Sequence, residues 1–202
     1  MKPLSRLRSM NASSSPSRRR TRELIAADLA ACTGRVGWRA ALSAFVFEPG
    51  FATLCAHRCA QHLYRGGRPR LAKLLWRWNT ARSACHLHLE AELGPGLLLP
   101  HPTGVVIGAG TRVGAGVTLY QGVTLGRRHG EHYPVVGDGA TVYPNAVVAG
   151  PLRIGRSAVI GAGAVVLEDV PDGAVAAGNP ARLLAPRGRG VAAGAAERVE
   201  RP

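Results

Sequence analysis

Aromatic side chains are scarce in this chain of 202 residues, where Phe, Trp and Tyr together make up 5%. An aromatic-rich core is therefore excluded. Glycine is common instead, with 26 residues, and short units of Val, Ala and Gly crowd the second half. With an apolar content of 46%, the composition is that of a globular protein built from many small repeated units, not of a fully disordered chain.

Acidic residues and lysine are also scarce. The chain has 12 Asp and Glu against 26 Lys and Arg, a net charge of +14, and its only lysines are Lys2 and Lys73. The arginines concentrate near the two ends, in MKPLSRLRSMNASSSPSRRRTR, PARLLAPRGRG and ERVERP. Because this excess charge is largely terminal and forms no reading surface, we expect no nucleic-acid partner.

Long apolar runs are absent. No stretch approaches the roughly 20 apolar residues of a membrane-crossing helix, and no apolar segment follows the charged first residues as in a secretory signal. We therefore expect a cytoplasmic chain without a membrane partner, whose four cysteines are reduced thiols. Residues 1–22 and 185–202 are predicted to be disordered tails.

Residues 23–90 have the periodicity of a small α-helical domain of about three helices. The helical stretches read ELIAADLAAC, GFATLCAHRCAQHLYRGG and PRLAKLLWRWNTARSACHLHL, the last beginning with a proline suited to a first turn. Cys55, Cys59 and His62 share one helix face with a spacing that suits zinc ligands. The same face is the apolar stripe of the helix, so packing is the preferred interpretation and no metal is expected.

The period changes to six over residues 91–184. Units such as VGAGVT, LYQGVT, VGDGAT, IGRSAV and IGAGAV each begin with an aliphatic residue, and a small residue usually follows. Such a unit forms one flat face of a triangular prism, with its first residue pointing inward. Roughly a dozen units predict about four coils of a left-handed parallel β-helix. Residues 127–135 (RRHGEHYPV) break the repeat and are expected to project as a loop, where function is often found.

One histidine stands out within the repeats. His101 lies between two prolines in LLLPHPTGVVIG, and a slip of two residues in the repeat follows it. Its imidazole is either a buried packing element bonded to a backbone carbonyl or a group held out of the chain to move a proton. The flanking prolines restrict the backbone and would make a fixed position less costly in entropy.

Four segments in a fixed order carry a family resemblance: the helical run ending at LLWRWN, then LPHPTGVVIG, QGVTLG and AAGNPARLL. The chain resembles the hexapeptide-repeat acyltransferases and, among them, the serine O-acetyltransferases. The resemblance implies a homotrimer with each active site between two subunits and acetyl-CoA lying along the coils. The implied reaction is O-acetylation of L-serine, the first step of cysteine biosynthesis from serine.

The resemblance also implies residue roles. The histidine of the family's H-x-T-G motif falls on His101, which makes it the general base. Ala162 falls on a corner along the pantetheine arm of acetyl-CoA, and Arg182 falls where the family places a basic contact to its phosphate end. In the loop, His132 and Tyr133 occupy the positions that contact the acceptor.

Three departures from the family bear on the acceptor. The aspartate that pairs with the catalytic histidine is replaced by His86, so an orienting carboxylate must come from elsewhere, with Glu90 and Glu131 as candidates, or be absent. The loop lacks the family's arginine. In the family, an acidic residue of the helical domain meets the serine ammonium, and its position falls near Arg35 in this chain. Two alternatives therefore stay open: an O-acetyltransferase acting on a sugar or other small hydroxyl compound, and a non-catalytic β-helix scaffold.

Overall fold

The computed structural model describes residues 16–128, 130 and 132–184. Four helices come first, and fourteen short strands follow. The helices are α1 (Pro16–Thr33), α2 (Trp38–Phe47), α3 (Pro49–Arg65) and α4 (Pro69–Ser83). No helix in the described part of the chain is long and apolar enough to cross a membrane.

The strands form three sheets, which we call faces A, B and C of the prism. Face A contains β1 (His86–Leu87), β3 (Val106–Ile107), β6 (Thr124–Gly126), β9 (Val147–Ala149) and β12 (Val165–Val166). Face B contains β2 (Glu92–Leu93), β4 (Arg112–Val113), β7 (Val135–Val136) and β10 (Arg153–Ile154). Face C contains β5 (Thr118–Leu119), β8 (Thr141–Val142), β11 (Val159–Ile160), β13 (Val175–Ala177) and β14 (Arg182–Leu184).

From β3 to β12 successive strands visit faces A, B and C in turn, and each pairs in parallel with the strand one coil away. In the first and last coils, isolated bridges at Leu98 on face C and Val170 on face B take the place of a strand. Only β14 runs antiparallel, folding back on β13 at the end of the described solenoid. The parallel β-helix predicted from the six-residue period is thereby confirmed.

The interior of the prism is filled by two residues of each unit, one more than predicted. The first and fifth positions are both buried, as in the pairs Leu119 and Val123, Val142 and Ala146. The reason is strand alternation: the sixth residue points outward between two inward neighbours. The apolar cluster runs continuously from Cys85 to Ala176 and includes Leu54 of α3, which covers the first coil.

Side chains of the helices donate hydrogen bonds to the backbone carbonyls at the open edge of that first coil. Its carbonyls have no preceding coil to bond, and each unpaired buried carbonyl would be costly. Trp76 donates to the Leu87 carbonyl at 2.8 Å, and the Gln61 amide donates to the carbonyls of Leu89 and Ala91 at 3.2 and 2.8 Å. The helical region is thus the cap that terminates the solenoid.

Arg58 of α3 extends this cap from a buried ion pair. Its Nε donates to Asp28 of α1 at 3.0 Å, and its two Nη atoms donate to the carbonyls of Leu93 and Gly94 at 2.7 and 2.6 Å. Asp28 also accepts from the Leu97 N–H at 3.1 Å. Burial raises the pKa of the Asp28 carboxyl, and Arg58 and the Leu97 N–H oppose that rise. One ion pair thus holds α1, α3 and the first coil together.

The helical region differs from its prediction in two places. Helix α1 begins at Pro16, inside the predicted tail 1–22, whereas 1–15 and 185–202 lie outside the described residues. The helices end at Ser83, before the predicted boundary at 90, because CHLHL alternates with period two: Cys85, Leu87 and Leu89 point inward.

Helix α2 was not predicted at all. Its buried side is made of alanines, with Ala44 fully covered, while Trp38 and Val46 are 73% and 63% exposed. A helix whose large apolar residues face outward lacks the amphipathic pattern by which helices are recognised.

His57 of α3 predicts a pH dependence of stability. It is 1% exposed, and neither ring nitrogen has a hydrogen-bond partner among the described residues. Burial, assisted by Arg58, Arg65 and His88, lowers its pKa to about 3. Below pH 6.5 the unfolded chain binds a proton that the folded chain refuses, so stability falls as pH drops from about 6.5 to 3.

We expect His57→Leu to remove this loss. At pH 4.5 the wild-type chain should have lost about 2–3 kcal/mol of unfolding free energy through His57 alone, and the variant should lose that much less. Urea unfolding at pH 7.0, 5.5 and 4.5 measures both slopes. Parallel pH dependences would show that His57 does not titrate across folding.

Candidate active site

His101 lies on a bulge of the coil, where the two-residue slip of the repeat adds chain. Leu99 and Val105 remain in the core on either side, and Pro102 is also buried. His101 and Thr103 are exposed. The structure thus excludes the buried-packing interpretation of His101 and holds its imidazole outside the core.

Backbone hydrogen bonds fix this bulge on both sides. The Gly104 N–H donates to the Ala84 carbonyl at 2.9 Å, at the end of α4. The Thr103 carbonyl accepts from the Gly122 N–H of the next coil at 3.0 Å. The bulge is therefore tied to the helical region below it and to the solenoid above it.

Helix α3 also contacts the bulge directly through Gly50. A Cβ atom at this position would collide with the backbone carbonyl of Leu99, two residues before His101. Only glycine allows this approach, because the colliding atoms are main chain and cannot rotate away. The start of α3 is thereby pressed against the segment that carries the histidine.

Gly50→Ala should therefore destabilise the protein, although glycine to alanine inside a helix normally stabilises it by about 0.5–1 kcal/mol. Forcing the two backbones apart should cost about 1–3 kcal/mol instead. Thermal and urea unfolding measure the change. Gly126→Ala is the matched control, because its Cβ would meet only Thr124 Cγ2 at an ordinary 3.7 Å. A stabilised Gly50→Ala variant would contradict the close approach.

The bulge belongs to a column of turns at the corner between faces C and A. Above it the Gln121 carbonyl accepts from the Asn145 N–H, and the Pro144 carbonyl accepts from the Gly163 N–H. Ala162 is exposed on the last of these turns. His101 and Ala162 thus share one corner, three coils or about 14 Å apart along the prism axis.

Gln121 on this corner was not predicted to have a role, although it opens the quoted QGVTLG segment. Its side-chain oxygen is buried and has no hydrogen-bond partner within the described chain. A buried acceptor without a donor is costly unless a ligand or water supplies one. No sequence pattern indicated this buried oxygen, because a glutamine at the turn of a repeat unit is usually solvated.

The loop residues lie at a different corner, the one between faces A and B. The Tyr133 ring lies against Gly108 and Gly110, where a Cβ at either glycine would touch it. His132 and Tyr133 line a cleft together with Arg112, Arg153 and Asp169. The structure therefore does not bring His132 and Tyr133 to His101 within one chain.

Arg182 is exposed at the start of β14, on face C next to the last coil. Among the described residues, its guanidinium donates to the neighbouring Ala181 carbonyl alone, at 3.2 Å. Glu168 and Asp169 line the same cleft as Arg182.

The chain is similar to known proteins both in sequence and in fold. The family model described as bacterial transferase hexapeptide (six repeats) matches residues 133–168. Serine acetyltransferase 4 of Arabidopsis thaliana is 39% identical over 145 residues, covering 70% of this chain and 41% of that protein. Soybean serine acetyltransferase complexed with serine is 37% identical with a TM-score of 0.75, covering 85% of this chain and 71% of that one.

The chain belongs to the serine acetyltransferase family. The resemblance inferred from the sequence is thereby confirmed. A second solved member, serine acetyltransferase in complex with CoA, is 31% identical with a TM-score of 0.73 over 83% of this chain and 71% of that one. The chain spans about half the length of the curated relatives that it matches.

This serine acetyltransferase family member has no carboxylate beside His101 among its described residues. His86, at the position of the expected aspartate, packs edge-on against Trp76 with ring centroids 4.9 Å apart. Glu90 accepts from the Tyr64 hydroxyl at 2.8 Å, and Glu131 lies outside the described residues. Arg35 is exposed in the segment between α1 and α2.

The cysteines of α3 are free thiols, and Cys55 packs against the cluster of Leu29, Ala44 and Phe51. Across the described residues no three His, Cys, Asp or Glu side chains converge as metal ligands. These contacts support packing as the role of Cys55, whereas Cys59 on the same helix face is exposed.

Proposed function

We propose that the protein transfers the acetyl group of acetyl-CoA to the hydroxyl of L-serine, the first step of cysteine biosynthesis from serine. The observation that carries the proposal is His101, held outside the core on a doubly anchored bulge and aligned with the open Ala162 turn on one corner. Relatives solved with CoA and with serine support both substrates.

In the proposed reaction the neutral imidazole of His101 removes the proton of the acceptor hydroxyl as its oxygen attacks the thioester carbonyl. The tetrahedral intermediate collapses, the bond from carbon to sulfur breaks, and the departing thiolate takes the proton back from the imidazolium. No metal is required for these steps, only positioning and donors for the oxyanion. The Gln121 oxygen supplies an acceptor for an N–H or O–H of either substrate.

The cofactor-side contacts are part of the same proposal. Acetyl-CoA lies along the corner of faces C and A, with its pantetheine arm over the Ala162 turn. Arg182, beside the last coil, meets its phosphate end by charge-assisted hydrogen bonds. His132 and Tyr133 contact the acceptor.

We further propose a homotrimer, because His101 and the loop residues lie at different corners of one prism. A neighbouring chain must then bring its loop to His101. The outward-facing residues of the paired strands support contact through faces A and C, because they are uncharged. They are Val106, Thr124 and Val147 on face A, and Thr118, Thr141 and Val159 on face C. A cytoplasmic location completes the proposal, in keeping with four free thiols.

An acceptor panel tests this function. Purified protein is given acetyl-CoA with L-serine, homoserine or a set of sugars, and both thiol release and the acetylated product are measured. We expect serine to support the highest kcat/KM. Turnover with a sugar and not with serine would show that the acceptor is a sugar, while acetyl transfer to a hydroxyl would stand as the reaction. Absence of acetyl-CoA binding heat in calorimetry would leave only the scaffold.

A further inference from the structure

A groove with a basic lining runs from the space between α1 and α3 onto face B. We call it the basic groove and define it by Arg20, Arg58, Arg65, Arg112, Arg153 and Arg156. At its helical end Arg20 and Arg65 converge with Arg58 and His62, and none of the described residues lining that end is acidic.

Most of this positive charge is not neutralised. Arg58 is paired with Asp28, and Arg112 lies 3.5 Å from Glu92. Arg20, Arg65, Arg153 and Arg156 form no ion pair within the described part of the chain. Four guanidinium groups around one concavity repel each other unless an anion lies between them.

The acids in the groove do not supply that anion. Its described lining contains only Glu92, which is engaged by Arg112, and Asp138. The Asp138 carboxylate accepts from the Ala115 N–H at 2.8 Å. The acids of the described lining thus leave these exposed guanidinium groups open to an anionic ligand.

The basic groove lies apart from His101 and Ala162. It lies on face B, whereas His101 and Ala162 lie at the corner where faces C and A meet, on the opposite side of the prism. Arg112 and Arg153 also line the cleft of His132 and Tyr133, but Arg20, Arg65 and Arg156 do not.

The lining selects among anions. Guanidinium groups match phosphate oxygens in planar, paired hydrogen bonds. The described lining has no Phe, Tyr or Trp side chain on which a base could stack, which disfavours single-stranded nucleic acid. A concave groove also cannot follow a flat lipid surface. Arg112 and Arg153 are two strands apart, or about 10 Å, so one phosphate cannot reach all of the arginines.

We propose that the basic groove binds a ligand carrying a chain of phosphate groups. Its end phosphate lies between α1 and α3 against Arg20, Arg65 and His62, and the following phosphates lie along Arg153 and Arg156 on face B. Such a ligand bridges the helical cap and the solenoid, and it should stabilise their contact.

Isothermal titration of the whole protein with tripolyphosphate at physiological salt tests the proposal. We expect saturable binding that is at least tenfold tighter than that of orthophosphate, because several sites act together. Arg65→Gln and Arg156→Gln should each weaken tripolyphosphate binding about tenfold, in line with the loss of one charged hydrogen-bond pair. Arg70→Gln, an exposed arginine of α4 outside the groove, is the matched control and should bind normally.

Three outcomes would overturn the proposal. Equal weakening in all three variants would indicate general attraction to a chain of net charge +14. No binding by the wild-type protein would remove the site. Tighter binding of a single-stranded oligonucleotide than of tripolyphosphate would make the groove a nucleic-acid site instead. Retained acetyl transfer by Arg65→Gln and Arg156→Gln verifies that these variants are folded.

Discussion

His101→Ala is expected to lower kcat for serine acetylation by about 10²–10⁴-fold, the usual contribution of a positioned general base. The affinity for acetyl-CoA should change little, because in the proposed reaction the imidazole acts on the acceptor proton and the CoA arm lies further along the corner. Steady-state kinetics gives kcat, and calorimetric titration gives CoA binding in the same preparation.

The comparison with Thr103→Ala makes this test specific. Thr103 is exposed on the same bulge, and it contributes its backbone carbonyl to the hydrogen bond with Gly122. Removing its side chain should leave both the bulge and kcat nearly unchanged. Near-normal turnover in His101→Ala, or an equal loss in both variants, would end the assignment of His101 as the base.

The fold could be predicted because the interior of a prism repeats. Aliphatic residues at every sixth position, such as Val113, Leu119 and Leu125, fix the inward direction of each strand. The two-residue slip before Ile107 also had a structural meaning that sequence could locate: it is the bulge that carries His101. Position in the repeat thus predicted the core and located the bulge, whereas the outward position of His101 followed only from the family resemblance.

The site was less predictable because periodicity reports which residues point inward and not which corner a residue occupies. His101 and Tyr133 both leave the repeat, yet one lies between faces C and A and the other between faces A and B. The contact between Gly50 and Leu99 joins residues far apart in the chain, and no local pattern encodes it. To assign a residue to a corner, or to find a long-range contact, one must know how many residues each folded coil contains.

Arg58→Met is expected to lower the free energy of unfolding by about 3–5 kcal/mol, because it leaves the Asp28 carboxylate buried without its partner. Both side chains are 1% exposed. Such a loss is a large part of the 5–15 kcal/mol typical of a folded domain. Arg112→Met is the matched control: it breaks an ion pair whose two side chains are both 67% exposed, and should cost less than about 1 kcal/mol. Urea unfolding measures both.

The double variant Asp28→Leu with Arg58→Met distinguishes two roles of these side chains: pairing with each other, and bonding the backbone of the first coil. Where a buried pair is only a pair, replacing both charges by apolar residues restores most of the stability. Here Arg58 also serves the carbonyls of Leu93 and Gly94, and Asp28 accepts from the Leu97 N–H. Those three backbone groups stay unpaired in the double variant, so we expect it to recover less than half of the loss. Because the first coil carries His101, acetyl transfer by the double variant should decline together with its stability. Full recovery of stability would mean that the helices do not cap the solenoid through these two side chains.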